Sequence, residues 1–87
     1  MYLHICKNLI INREDIIGVF DIETINKTIE YEKIYKELEE QGKIEDVSGG
    51  EVKTIILTEK NKEKKIYISN ISVATLEKRA NIENFWE

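Results

Sequence analysis

Asp15-Ile16-Ile17-Gly18-Val19-Phe20-Asp21 sets the terms on which this 87-residue chain folds. Ile16, Ile17, Val19 and Phe20 are bracketed by two acids. A short run of that kind, rich in Ile and Val, reads as a β-strand covered on both faces. Alternation along the strand puts Ile17 and Val19 on one face and Ile16, Gly18 and Phe20 on the other. Gly18 has no side chain, so a neighbouring backbone or a large side chain can come close there. The rest of the chain reads as folding around this strand.

On the N-terminal side, Tyr2 to Cys6 and Leu9 to Ile11 read as two short strands joined at Lys7-Asn8, a hairpin. Asn12-Arg13-Glu14 is a polar lead-in to the central strand. On the C-terminal side, Asp21 to Lys27 is a connection. Tyr31, Ile34, Tyr35 and Leu38 then give the i, i+3, i+4, i+7 stripe of a helix over about 27–41. Asn26 or Thr28 can cap its start and Gly42 can end it.

Lys43 to Val47 is a short strand, and Ser48-Gly49-Gly50 a turn. Val52 to Thr58 alternates as a strand, with Val52, Thr54 and Ile56 on one face and Ile55 and Leu57 on the other. The charged segment 59–64 turns the chain into a returning strand, Lys65 to Ser69. Ser72 caps a second helix over Val73 to Ala80. Ile82, Phe85 and Trp86 continue its apolar spacing, and the Phe85-Trp86 pair either packs back on the domain or meets another subunit. The reading is one α+β domain spanning 1–87: a bent antiparallel sheet of about five or six strands with two short helices.

Composition narrows the function classes. With 41% hydrophobic and 34% charged residues, the chain is a folded, soluble type rather than a disordered one. A chain this short buries only about 60–65% of its unfolded surface, so oligomerisation is a natural remedy. The single cysteine, Cys6, allows no intrachain disulfide, which favours a reducing compartment. No signal peptide or membrane span is legible, and the expected location is cytoplasmic.

The net charge of −4 argues against a nucleic-acid partner unless the cations are segregated on one surface. Segregation is legible: Lys60, Lys62, Lys64 and Lys65 fall together, while Glu30, Glu32, Glu37, Glu39 and Glu40 fall elsewhere. Such a lysine cluster is either a solvated loop, diluted by Glu59 and Glu63, or a loop that rests on phosphates and releases counterions.

Catalytic constellations are absent from the sequence. His4 and Cys6 could share a strand face, but a structural zinc site takes four ligands and the chain has no second His or Cys. The serines have one histidine to serve as base, and the carboxylates from Glu30 to Glu40 fit a solvated helix face. Gly49-Gly50 lacks the spacing and the strand-to-helix setting of a phosphate loop. The expectation is no enzyme, no catalytic or metal site, no cofactor, no small-molecule substrate and no membrane partner.

Several stretches together resemble a known family. Met1-Tyr2-Leu3-His4-Ile5 and Arg13-Glu14-Asp15-Ile16-Ile17-Gly18-Val19-Phe20-Asp21 look like the start of the RemA/RemB extracellular matrix regulators, and within them the RemB-like members. Lys53-Thr54-Ile55-Ile56-Leu57-Thr58 and Ile66 to Ala80 look like the second half. The S-x-x-T-L-x-K-R-A pattern running from Ser72 to Ala80 is the most specific piece.

The resemblance implies a LytTR-like fold and a regulator of biofilm-matrix genes. It implies a homo-oligomer, a ring, with double-stranded DNA following its basic outside. RemA-like proteins carry an arginine-rich turn before the strand corresponding to Val52–Thr58, and those arginines help bind DNA. Here the turn reads Ser48-Gly49-Gly50-Glu51-Val52-Lys53, which keeps one cation. The candidate phosphate contacts are therefore Lys53, Lys60, Lys62, Lys64 and Lys65, with Arg13 and Arg79 behind them. The alternative is an oligomeric protein–protein interaction module that does not bind DNA.

Overall fold

The computed structural model describes residues 2–6, 9–25 and 28–85. The chain is α+β. Its strands are β1 (Tyr2–Cys6), β2 (Leu9–Asn12), β3 (Ile16–Asp21), β4 (Ile44–Asp46), β5 (Thr54–Lys60) and β6 (Glu63–Ser69). Its helices are α1 (Ile22–Ile25), α2 (Ile29–Glu40) and α3 (Val73–Phe85), with a 3-10 turn at Arg13–Asp15.

The six strands form two sheets, not one. β1 and β2 make an antiparallel ribbon. The other four lie in the order β3-β5-β6-β4. β3 pairs antiparallel with β5 and β5 with β6, but β4 runs parallel to β6 with Ile44 opposite Ile66. The parallel pair departs from the all-antiparallel expectation. Its reason is the connection: a parallel return needs a long crossover, and α2 between β3 and β4 supplies one.

The hairpin of β5 and β6 holds the centre that the sequence assigned to β3. Ile55, Ile56 and Ile66 are almost fully enclosed. Burying each such side chain stabilises the fold by about 1.5–3 kcal/mol. Ile56 faces Leu3, Ile5 and Ile11 of the ribbon and Leu76 of α3. Ile55, Ile66 and Ile68 face Leu38 of α2 and the half-buried residues around it. The four-stranded sheet is thus the middle layer, with α1 and α2 on one face and the ribbon and α3 on the other.

β3 is an edge strand, contrary to the expectation of two covered faces. A bulge falls between Ile16 and Gly18: Ile16 lies opposite Thr58 and Gly18 opposite Leu57. The extra residue, Ile17, points outward and is 53% exposed. The slip also places Ile16 with Val19 against the ribbon-side core rather than with Phe20. The close approach expected at Gly18 is present, and the large side chain is the Phe20 ring.

Local signals account for the element ends. Gly42 has φ +70°, its N–H donates to the Glu39 carbonyl at 3.1 Å, and the Lys43 N–H donates to the Leu38 carbonyl at 2.8 Å. This pair of hydrogen bonds closes α2 as the sequence predicts. Thr28 sits at the start of α2, but its hydroxyl donates back to the Ile25 carbonyl instead of capping the helix. Ser72 caps α3, accepting from the Thr75 N–H at 3.3 Å. α3 runs on past Ala80 to Phe85, in keeping with the continued apolar spacing. α1 is a single unanticipated turn, started by Asp21, whose carboxylate accepts from the Glu23 N–H. The Lys7-Asn8 turn, Asn26, Trp86 and the Cys6 and Phe85 side chains lie outside the described residues.

Candidate nucleic-acid interface

The seven candidate cations fall into three groups rather than one surface. Lys60, Lys62, Lys64 and Lys65 cluster at the far end of the β5–β6 hairpin. Lys53 precedes the first residue of β5, roughly 23 Å away at about 3.3 Å per strand residue. Arg13 and Arg79 lie on the flank where the 3-10 turn and α3 meet the ribbon.

The tip of the hairpin is tighter than the charged segment suggested. Lys60 pairs with Glu63, so Asn61 and Lys62 alone make the turn. Both have positive φ, 53° and 69°, as a two-residue turn of the hairpin-favouring hand requires. Asn tolerates that conformation and Lys does so at a cost. The result is a stiff, projecting tip with Lys60, Lys62 and Lys64 exposed.

The register interleaves charges across the hairpin. Lys60 stands opposite Glu63 and Glu59 opposite Lys64. Lys65 is held: its ammonium sits 2.8 Å from Glu45 and 4.9 Å from the centre of the Tyr67 ring. The hydrogen bond to Glu45, with Tyr67 adding to it, raises the Lys65 pKa against a smaller opposing effect of burial. Lys53 lies 3.8 Å from Glu51. Arg79 donates to the His4 carbonyl at 3.2 Å, which ties α3 to β1. Among the described residues, Lys60, Lys62 and Lys64 have no ion-pair partner.

Lys43 is a cation that the sequence reading missed. It precedes β4, and the parallel pairing brings it to Glu63 at 3.4 Å, beside the lysine tip. β4, the 46–50 turn and β5 lie between Lys43 and Glu63 in the chain, so only recognition of the parallel pairing of β4 with β6 could have placed it there.

The turn at 46–50 is built on a different plan from a cationic loop. Asp46 accepts from both the N–H and the hydroxyl of the buried Ser48, at 2.9 and 2.6 Å. The Ser48 hydroxyl accepts from the Gly50 N–H at 3.2 Å. Those bonds from Ser48, the side-chain one foremost, hold the Asp46 carboxyl below its usual pKa. Gly49 and Gly50 have φ +68° and +97°, a conformation side chains resist. This turn is a compact scaffold with Lys53 at its exit.

No helix of the described residues is long and apolar enough to cross a membrane. The family profile for RemA-like proteins, described as extracellular matrix regulatory protein A-like, matches residues 2–80. Extracellular matrix regulatory protein B of Bacillus subtilis (strain 168) is 32% identical over 80 residues, covering 92% of this chain and 90% of that protein. The chain belongs to the RemA-like family of extracellular matrix regulatory proteins.

Proposed function

We propose that the protein is a cytoplasmic DNA-binding regulator of extracellular-matrix genes, acting as an oligomer that reads charge and shape rather than base edges. The observation that carries this reading is the projecting tip, where Lys60, Lys62 and Lys64 are exposed and without ion-pair partners among the described residues. Three ammoniums on a stiff hairpin can rest on a phosphate backbone, and each contact releases counterions. One tip binds weakly. Copies repeated around a ring act at high effective concentration and multiply the affinity. Lys53, Lys65, Arg13 and Arg79 play supporting parts in this reading. The test is salt-dependent binding of duplex DNA by the wild type and by a Lys60→Ala, Lys62→Ala, Lys64→Ala variant.

A second reading is an oligomeric interaction module without DNA binding. The edge strand β3 favours it, because Ile17 and Phe20 there are 53% and 37% exposed and Ile29 nearby is 68% exposed. An unpaired apolar edge is a surface that another chain can cover. Light scattering on Ile17→Lys tests it: loss of assembly with DNA binding never present favours this module.

A further inference from the structure

β3 is an open edge of the four-stranded sheet, and its register shows which backbone groups face outward. The Ile22 N–H donates to the Lys53 carbonyl at 3.0 Å, continuing the register that sets Phe20 opposite Ile55 and Gly18 opposite Leu57. Backbone groups alternate sides along a strand, so those of Gly18 and Phe20 face β5, and the N–H and C=O of Val19 and Asp21 point to the outer edge. Among the described residues those outward groups have no backbone partner. The bulge at Ile17 limits the regular part of the edge to 18–21.

A cavity of about 290 Å³ opens beside this edge on the α2 face of the sheet. Phe20, Ile25, Tyr31, Ile34 and Leu57 line it, and Glu30 is the one charged residue of the lining. A strand laid along β3 points alternate side chains to that face, next to Phe20. An edge with unpaired backbone groups and a pocket for a side chain are the two things strand addition requires.

Charge decides what can lie there. Asp21, Glu23 and Glu30 are exposed and have no ion-pair partner among the described residues. Lys53, across from Ile22, sits 3.8 Å from Glu51. Helix α2 carries five glutamates against Lys33 and Lys36, so it adds no cation to spare. At the other end of β3, Glu14 and Asp15 stand beside Arg13 and Lys60 and carry no such excess. A second β3 is a poor occupant. An antiparallel pair sets the Asp21 end of one copy against the Asp15 end of the other, and like charges across strands destabilise.

We propose that β3 takes up a basic, extended segment of a partner protein as a fifth strand of this sheet, with a Lys or Arg against Asp21, Glu23 and Glu30 and one aliphatic side chain in the cavity beside Phe20. Ladder hydrogen bonds supply affinity, the cavity selects the aliphatic side chain and the acids select the cation. The proposal holds whether or not the protein binds DNA.

The experiment titrates the isotope-labelled full chain with three capped hexapeptides and follows amide shifts. The first is Lys-Arg-Val-Thr-Ile-Thr, whose cations meet the Asp21 end in an antiparallel alignment. The second has Glu-Glu in place of Lys-Arg. The third is the first peptide N-methylated at its last four residues, which keeps the side chains but removes the ladder donors. The first should bind saturably, with shifts centred on Val19, Phe20, Asp21, Tyr31 and Ile34, and at least about tenfold more tightly than either other peptide, a difference of ~1.4 kcal/mol. Glu23→Lys with Glu30→Lys should erase its margin over the second peptide while the spectrum away from the edge stays unchanged. Equal binding of either control, shifts centred elsewhere, no saturable binding, or full preference in the variant would overturn the proposal. So would shifts of the β3 amides on dilution without peptide, which would give the edge to a second copy.

Discussion

The Ser69 hydroxyl donates to the Ile5 carbonyl at 2.8 Å, and both residues are completely enclosed. The same oxygen accepts from the Ile71 N–H at 3.1 Å. This is a buried polar link between the four-stranded sheet and the N-terminal ribbon. Ser69→Ala leaves an enclosed carbonyl and an amide without their partner, which costs about 1–3 kcal/mol. Urea unfolding should show that loss as a lower midpoint at unchanged slope. An unaltered midpoint would mean that the Ser69 link adds nothing to the ribbon's other contacts.

The Phe20 ring lies back over Gly18, where an added Cβ would collide with it. Gly18→Ala should therefore push the ring aside, and because the ring is the far end of a side chain that is 37% exposed, the cost should be at most about 1 kcal/mol. In a Phe20→Ala background the collision is gone, so the same glycine substitution should cost much less. Such non-additivity is expected of residues in contact. Equal costs in the two backgrounds would place the effect in the backbone.

Lys62 adopts φ 69° at the tip of the hairpin. Glycine takes that conformation freely, so Lys62→Gly should raise stability by about 0.5–1 kcal/mol, less the entropy that glycine adds to the unfolded chain. Thermal unfolding measures it. The same variant removes one candidate phosphate contact, so a more stable protein that binds DNA less well would separate folding from function at one position.

Stability should be flat around neutrality and fall on both sides. Asp46 is held below its ordinary value of 3.8 by Ser48, so its contribution is present above that pH and is lost as the pH falls through the folded value. On the alkaline side, burial first, and then the neighbouring Tyr35, push Tyr31 from 10.0 up to about 12. The unfolded chain then ionises before the folded one, and stability falls between pH 10 and 12. Lys65, raised above 10.5, contributes below that pH and loses its contribution as the pH rises through the folded value. Ser48→Ala should flatten the acid limb, and Tyr31→Phe the alkaline limb, in denaturation midpoints measured against pH.

Strand β5 and helix α2 were legible because each has a clean local period: two for Thr54–Thr58, and the Tyr31–Ile34–Tyr35–Leu38 stripe for α2. Gly42 and Ser72 announced a helix end and a helix start through backbone chemistry that needs no tertiary context. The place of β3 was not legible. Its apolar run looked like the centre of a sheet, and a one-residue bulge turned Ile17 outward. Nothing in a run of Ile and Val marks a bulge beyond the glycine that follows it. The parallel partner of β6 was hidden for a related reason, since pairing depends on the α2 crossover and not on the three residues of β4. The lysine tip could be read as a cluster, but its register against Glu59 and Glu63, and the arrival of Lys43, come from the assembled sheet alone.

The most direct test of the account is fluorescence anisotropy with an AT-rich promoter fragment and a random fragment of equal length, at low and at physiological salt. Light scattering on the same samples reports assembly. The wild-type oligomer should bind both fragments, with affinity falling steeply as salt rises. The Lys60→Ala, Lys62→Ala, Lys64→Ala variant should assemble normally, bind more weakly on both fragments, and show a salt slope reduced by up to about three, near one per lost phosphate contact. A folded oligomer that binds neither fragment at low salt, or a triple variant that binds as well as the wild type, would contradict the account.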